Sequence, residues 1–453
     1  MRKIWVIIKS KEANLRFMKR SQYIKIVNDD TALYLCNLTN EAVIKFPQES
    51  RLLIEHILDY PDIDYENIDL ENLKQLLYVN GFLISDDFDE IGNLRERYML
   101  AKSGRHTFSI QIATTLQCNF RCPYCYEPHE SVFLSKTKQD AIIKFVKSNI
   151  YKWKKLRLSW FGGEPLLRPD IIKYLSQNLI KICDQYATDF AGFITTNGYL
   201  LNQKNAELLR WCKVKEAQIT IDGDKKTHDQ RRFLTNGQGT YDTIIRNTFR
   251  AKEYLEKFRI RVNVDSQSVS NMIEVMTSLD SIKERTWLAF MPVQKVDGYK
   301  NKTLSYKEYL TKVSGLNDLA IKSGFRVSPG HRLPGATYCG AYDENYLLVD
   351  ARGDVHKCVV MTGQRQYRIG RLNQAGVVIP NLTSRHRWGF DPFTDNECLA
   401  CDCLPICLGG CQNLPADNKQ SFGRCSIKDN LSGNLLSIIQ SGRKDYIVGK
   451  AAY

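Results

Sequence analysis

The sequence predicts an α/β protein built on a partial (β/α)6 barrel of the TIM type, with an amino-terminal winged-helix-like α+β module and a carboxyl-terminal cysteine-rich domain. Three observations predict it. From Thr107 onward strand-like and helix-like runs alternate six times; polar or cysteine-bearing segments follow the strand-like runs; and eleven of the fourteen cysteines fall into two groups, one inside the alternating region and one beyond it. Alternation of this kind makes a parallel sheet, and in parallel barrels reactive groups gather at the carboxyl ends of the strands. The domains divide at residues 1–100, 101–330 and 331–453.

In the first domain, strand-like runs at 4–8, 23–27, 32–38 and 42–46 precede helical patterns at 49–59 and 70–79. The second helix ends at Asn80-Gly81, as a left-handed cap requires. Short strands followed by helices give the winged-helix-like reading. In the barrel, strands are expected at 108–112, 156–161, 192–195, 217–221, 260–264 and 287–291, separated by helices such as 138–150 and 241–258. Cys118, Cys122 and Cys125 follow the first strand, and Gly162-Gly163-Glu164 ends the second. Thr195-Thr196-Asn197-Gly198 ends the third, Asp222-Gly223 the fourth, and Asn263 with Asp265 the fifth. Asn-Gly and Asp-Gly are also ordinary turn chemistry, so Asn197 and Asp222 are open to that simpler role.

A chain of 453 residues with 43% hydrophobic content suits a globular protein of roughly two to four domains. The apolar run at 4–8 is too short for a signal-peptide core, and no window is apolar enough to span a membrane. The expected compartment is a reducing cytoplasm, with no membrane partner. The net charge of +14 is spread along the chain, and no nucleic-acid module accompanies it, so nucleic acid is not the expected partner.

The first cysteine group, Cys118-x3-Cys122-x2-Cys125, leaves a four-iron cluster one protein ligand short. Structural zinc prefers Cys-x2-Cys units with a second pair at loop distance, and this loop has no such second pair. With Tyr124 just before the third cysteine, the spacing resembles the signature of the radical S-adenosylmethionine (SAM) enzymes. Gly162, Gly163 and Glu164 resemble that family's Gly-Gly-Glu segment, whose backbone meets the amino group of SAM. His228-Asp229-Gln230-Arg231-Arg232 resembles a stretch of related maturases, which makes Arg232 a candidate for the SAM carboxylate, since a guanidinium grips carboxylates through paired hydrogen bonds. Tyr124, Asn197, Asp222 and Asn263 complete the expected cofactor contacts.

The second group reads Cys339-x13-Gly353-x4-Cys358, then Cys398-x2-Cys401-x5-Cys407-x3-Cys411, then Cys425, with Cys403 inside the x5 interval. It resembles the seven-cysteine pattern of the SPASM auxiliary-cluster domain. The resemblance implies that Cys339, Cys358 and Cys411 hold a first auxiliary cluster, and that Cys398, Cys401, Cys407 and Cys425 hold a second. The first then lacks a fourth ligand, and Cys403 is expected to supply it, the alternative being an iron open to substrate. Three 4Fe-4S clusters and SAM are the cofactors so implied. Cys36, Cys183 and Cys212 sit in apolar patterns and read as buried core residues.

By this resemblance the chain is a maturase of the sactipeptide and ranthipeptide type, which installs an intramolecular crosslink, a thioether first of all, in a ribosomally made precursor peptide. The chemistry implied is hydrogen abstraction by a 5′-deoxyadenosyl radical. The amino-terminal module would capture the precursor's leader as an added strand, and a flavodoxin or ferredoxin would deliver electrons. The alternatives are an anaerobic sulfatase maturase forming formylglycine and a nucleic-acid-binding iron-sulfur regulator. No catalytic side chain of the protein is identified.

Overall fold

The computed structural model describes residues 17–104, 106–268, 271–293, 299, 303–327, 339–382, 389–411, 425–429, 431–440 and 447–448. The strand expected at 4–8 and the boundary at residue 330 lie outside them.

After a short β1 (Met18–Arg20), three antiparallel strands form the amino-terminal sheet: β2 (Ile24–Asn28), β3 (Leu33–Asn37) and β4 (Val43–Phe46). Side chains alternate between the two faces of a strand. Ile24, Leu33, Leu35, Ile44 and Phe46 form one core with Ile54 and Ile57 of α1 (Arg51–Asp59) and Leu73 and Leu77 of α2 (Ile68–Val79). Gly81 then takes the left-handed φ of +73° that ends α2, and β5 (Leu83–Ser85) returns to pair with β1. The other face presents Val27, Tyr34, Cys36 and Val43 to a second core. That core also contains Tyr98 of α3 (Glu90–Ser103) and, from the cysteine-rich region, Phe393, Leu404 and Leu435. The sheet is therefore a layer between its own helices and the far end of the chain. Residues Ile447–Val448 pair in parallel with β4, so β2 is the edge to which nothing is bonded among the described residues.

The barrel strands are β6 (Thr107–Thr115), β7 (Lys155–Gly162), β8 (Asp189–Thr196), β9 (Val214–Thr220), β10 (Lys257–Val264) and β11 (Thr286–Pro292). They lie side by side in chain order, all parallel. Between and after them run α4 (Lys136–Asn149), α5 (Pro169–Gln185), α6 (Gln203–Trp211), α7 (Lys225–Arg231), α8 (Tyr241–Ala251), α9 (Met272–Ser278) and α10 (Tyr306–Lys322). The helix expected over 241–258 stops at Ala251, because the Glu256 N–H already bonds to the Lys215 carbonyl of the neighbouring chain segment at 2.8 Å. Ile110, Ile112, Leu156, Leu158, Ile260 and Val262 join the core with the helices. The alternate positions, Gln111, Ser159, Arg261 and Asn263 among them, therefore line the opposite, concave face.

Beyond β11 lies the two-residue β12 (Arg326–Val327). On the other side β13 (Tyr346–Val349) runs parallel to β6 and leads into the antiparallel β14 (Asp354–His356), β15 (Gly370–Leu372) and β16 (Val378–Pro380). The sheet stays open between β12 and β16, which makes the barrel partial, as expected. Among the described residues, no helix is long and apolar enough to cross a membrane.

Candidate cluster and cofactor site

The loop carrying Cys118, Cys122 and Cys125 is fixed by backbone bonds to the segment after α7: Arg121 N–H to Phe233 O at 3.0 Å and Thr235 N–H to Asn119 O at 3.0 Å. The Phe120 N–H points at the Cys118 sulfur, 3.4 Å away. Burial pushes the Cys118 thiol up to about 12, with Glu164 adding to it, and burial followed by Cys122 does the same to Cys125. Thiols so buried ionise only against a local positive charge, which iron provides.

Gly162 and Gly163 press their backbone onto this loop. Gly162 has φ +117°, and a Cβ there would run into the Thr115 carbonyl oxygen. A Cβ on Gly163 would overlap the Gln117 carbonyl group, 2.6 Å from its carbon. Two hydrogen bonds stitch the contact, Gly163 N–H to Thr115 O at 3.1 Å and Glu164 N–H to Gln117 O at 3.0 Å. The carboxylate of Glu164, fully buried, accepts from Leu166 N–H, the Thr196 hydroxyl and Asn197 N–H at 2.7–2.9 Å. It joins the end of β7 to the end of β8. Burial raises its pKa to about 6 against the pull of these donors. Asn197 in turn donates to Asn119 Oδ1 at 2.8 Å and faces the Cys118 sulfur at 3.9 Å, beyond its turn-forming bond to Tyr199 N–H.

A polar cluster spans the ends of β9 and β10. The Tyr124 hydroxyl bonds to Asp222 Oδ2 and receives Arg232 Nη1 at 2.9 Å. Asp222 Oδ1 accepts the Asn263 N–H at 2.8 Å, and the Asn263 amide reaches the Tyr124 hydroxyl at 3.4 Å. His228 is kept neutral, its pKa far below the usual value because it is buried and faces Arg232 and Arg231. Its Nδ1 accepts from Asp222 N–H, its Nε2 meets the Thr240 hydroxyl at 3.1 Å, and that hydroxyl donates to Arg232 O at 2.5 Å. The His-Asp-x-x-Arg stretch thus orients Arg232, whose Nε is buried without a partner among the described residues.

Several groups here escaped the sequence reading. Arg231 bonds Asp265 at 2.6 Å, and the Tyr299 hydroxyl bonds the same carboxylate; these two outweigh burial and hold Asp265 below the usual range. Glu127, two residues past Cys125, is buried with neither carboxylate oxygen partnered among the described residues, and burial followed by Asp350 lifts its pKa to about 8. Tyr126 is perturbed by burial and then by Glu127, Arg261, Cys125 and Cys358, so it stands between the two cysteine groups. Strand parity alone would have placed Arg261 in the barrel; nothing in the sequence marks Glu127 or Tyr299.

The second cysteine group sorts itself by proximity. The Cys358 thiol is raised to about 11 by burial first, then by Cys411 and Cys339. Cys407 is raised to about 11 by burial, then by Cys425 and Cys401, and Cys398 to about 12 by burial, with Asp395, Cys407 and Cys425 contributing. Cys403 is buried against Cys401 and Asp402; its thiol donates to Asp402 Oδ1 at 3.3 Å, and its nearness holds Cys401 below the usual thiol range. Cys403 lies in the tight turn closed by Leu404 N–H and Cys401 O, on the side of Cys401. Cys36, Cys183 and Cys212 are buried.

A single zinc ion draws its sulfurs to within about 4 Å of one another. Among the described residues only Cys401, Asp402 and Cys403 bring three such atoms within 4.8 Å.

Residues 112–279 match the model of the radical SAM superfamily. The radical SAM cyclopropyl synthase TigE of Paramaledivibacter caminithermalis is 25% identical over 280 residues, covering 54% of this chain and 56% of that protein. A GTP 3′,8-cyclase of Sulfurimonas denitrificans is 28% identical over 305 residues, 66% of this chain and 78% of its own. The match to the synthase thus spans little more than half of that relative's length. Among solved structures, anSMEcpe with bound AdoMet and Kp18Cys peptide superposes with a TM-score of 0.57 at 19% identity, over 75% of this chain and 100% of that one. Streptococcus suis SuiB bound to precursor peptide SuiA gives 0.50 at 19% identity, over 90% and 99%. At such identities these two structures bear on the fold alone.

Proposed function

Because this chain is a radical SAM enzyme, with S-adenosylmethionine and a 4Fe-4S cluster as the cofactors of its superfamily, we propose that it modifies a ribosomally made precursor peptide, forming an intramolecular crosslink such as a thioether. Once bound, the cluster and SAM supply a carbon radical able to take hydrogen from an unactivated C–H bond. Cys118, Cys122 and Cys125 would hold the cluster and the Gly162-Gly163 backbone would keep their loop in shape. Arg232, oriented by His228 and Tyr124, would receive the SAM carboxylate. Cys339, Cys358 and Cys411 would hold one auxiliary cluster, and Cys398, Cys401, Cys407 and Cys425 another, with Cys403 beside Cys401 as a further candidate ligand. A flavodoxin or ferredoxin would supply electrons.

The observation that carries the peptide reading is the open edge of β2. Beside it lies a cavity of about 450 Å³ lined by Ile24, Lys25, Ile26, Arg51 and Asp402. An extended leader adding to β2 would find main-chain partners there without displacing Ile447–Val448 from β4. SuiB, similar over most of the chain, is a protein solved with its precursor peptide, which supports the same reading. A regulator that only binds nucleic acid would leave the barrel mouth without a use.

The test is the triple variant Cys118→Ala, Cys122→Ala, Cys125→Ala, compared with wild type after anaerobic reconstitution. The expected result is loss of 5′-deoxyadenosine formation while iron bound by the carboxyl-terminal cysteines remains. Undiminished cleavage of SAM by the variant would sink the assignment.

A further inference from the structure

The concave face of the barrel holds a guanidinium without a counter-charge. Arg261 lies on β10 between Ile260 and Val262, both fully buried toward the helices, so its side chain enters the barrel. Its Nε donates to Asn263 Oδ1 at 2.8 Å, and Asn263 is itself fixed by Asp222 and Tyr124. That bond occupies Nε and leaves both terminal nitrogens of the fork unused. Tyr126, next to Cys125, is close enough to feel the charge of Arg261. Two residues back along β10, Arg259 has Glu216 at 3.1 Å, whereas Arg261 makes no ion pair among the described residues. Around the same space stand Tyr346, whose hydroxyl bonds Gln111 at 2.9 Å, and Cys358.

The charges can be counted. Arg231 pairs with Asp265 and faces Asp222 at 3.6 Å, and Arg232 reaches Asp222 through the Tyr124 hydroxyl. Of the three, Arg261 alone has no carboxylate beside it among the described residues, and the single carboxylate of SAM is assigned to Arg232 at the Tyr124 end. A half-buried guanidinium is stabilised by an anion in bidentate contact. The free fork of Arg261 therefore suits an anion of the other molecule that enters the barrel. We propose that Arg261 is a substrate-recognition residue that binds a carboxylate of the peptide, an aspartate or glutamate side chain beside the carbon that is attacked. The proposal rests on reading the barrel mouth as the SAM site. It gives the substrate a chemical class: the modified segment carries an acidic residue, held between the cluster loop and Cys358. Lysine could not replace Arg261 fully, since an ammonium offers a point charge and no fork.

The test uses the wild-type full chain, reconstituted anaerobically and saturated with SAM. Phenylglyoxal, which attacks free guanidinium groups, is added, and labelling of Arg261 and Arg232 is followed by peptide mass spectrometry. The probes are N-acetylaspartate N-methylamide and its uncharged asparagine counterpart. The aspartate probe should slow labelling of Arg261 by about tenfold at saturation, the scale of one charge-assisted contact, and the asparagine probe should not. Equal protection by both probes would overturn the proposal, as would protection by SAM alone, which would make the anion the cofactor's. Failure of Arg261 to label at all would also overturn it, because a subsite open to a substrate side chain is open to a reagent of that size. Isothermal titration of the aspartate probe into Arg261→Gln and Arg261→Lys adds a second measure, with binding expected to be lost in the first and weakened in the second. Formation of 5′-deoxyadenosine by the same wild-type preparation keeps the radical reading standing whichever way the labelling falls.

Discussion

Replacing Gly163 by alanine tests how the cluster loop is held. The added methyl would sit 2.6 Å from the Gln117 carbonyl carbon and 3.0 Å from Leu116 O. Ordinary contact between such atoms is about 3.5–4 Å, so the β7 end and the cysteine loop must part by about 1 Å. The bonds Gly163 N–H to Thr115 O and Glu164 N–H to Gln117 O, now 3.1 and 3.0 Å, would both be stretched out of range. Overpacking of this kind costs about 1–3 kcal/mol, and two weakened hydrogen bonds add about 1 kcal/mol each. The sum is about 3–5 kcal/mol, concentrated one residue before Cys118. Gly315→Ala is the control, because Gly315 lies inside α10 with nothing within 4 Å of an added Cβ. It should be neutral or stabilise by up to about 1 kcal/mol. Urea unfolding gives the stability, and iron per chain after gel filtration gives cluster retention. The reasoning is refuted if Gly163→Ala matches the control in midpoint and retains wild-type iron.

Tyr124→Phe removes the hydroxyl shared by Asp222, Arg232 and Asn263, and should weaken SAM binding by about tenfold, read by equilibrium dialysis; an unchanged Kd would detach that hydroxyl from the cofactor site. Cys403→Ala removes the donor beside Cys401, so Mössbauer spectra with labelled iron should change for the cluster of Cys398, Cys401, Cys407 and Cys425 and stay constant for that of Cys339, Cys358 and Cys411. A change confined to the latter would instead make Cys403 its fourth ligand, as the sequence reading expects.

All six barrel strands were legible, because alternation with helices and a polar residue at each strand end are local signals. What the sequence could not show were partnerships across the mouth. Glu164 reads as a cofactor contact in one dimension, and nothing there shows that its carboxylate also takes a donor from its own turn and two from the end of β8. Arg231 stands beside the residue that was singled out, and only the arrival of Asp265 from β10 and of Tyr299 distinguishes it. The position of Cys403 depends on how a two-residue step turns within a loop, which spacing alone does not encode. The overlong helix at 241–258 has a related cause, since the Glu256 N–H is captured by Lys215 at the start of β9, a pairing between distant segments that no local pattern announces.

The layered position of the amino-terminal sheet bears on how the protein is made. Val27, Tyr34 and Cys36 leave the ribosome long before the side chains that cover them, Phe393, Leu404 and Leu435, are added. At translation rates of about 5–20 residues per second, that face waits on the order of half a minute before its cover exists. During that interval a nascent chain exposes apolar surface, and Cys401, which packs on the same core, has not yet been synthesised. Burial of this face and completion of the cysteine group that includes Cys401 therefore belong to the same late stretch of synthesis, and a chain stalled before it would leave exposed the very face that the folded protein hides.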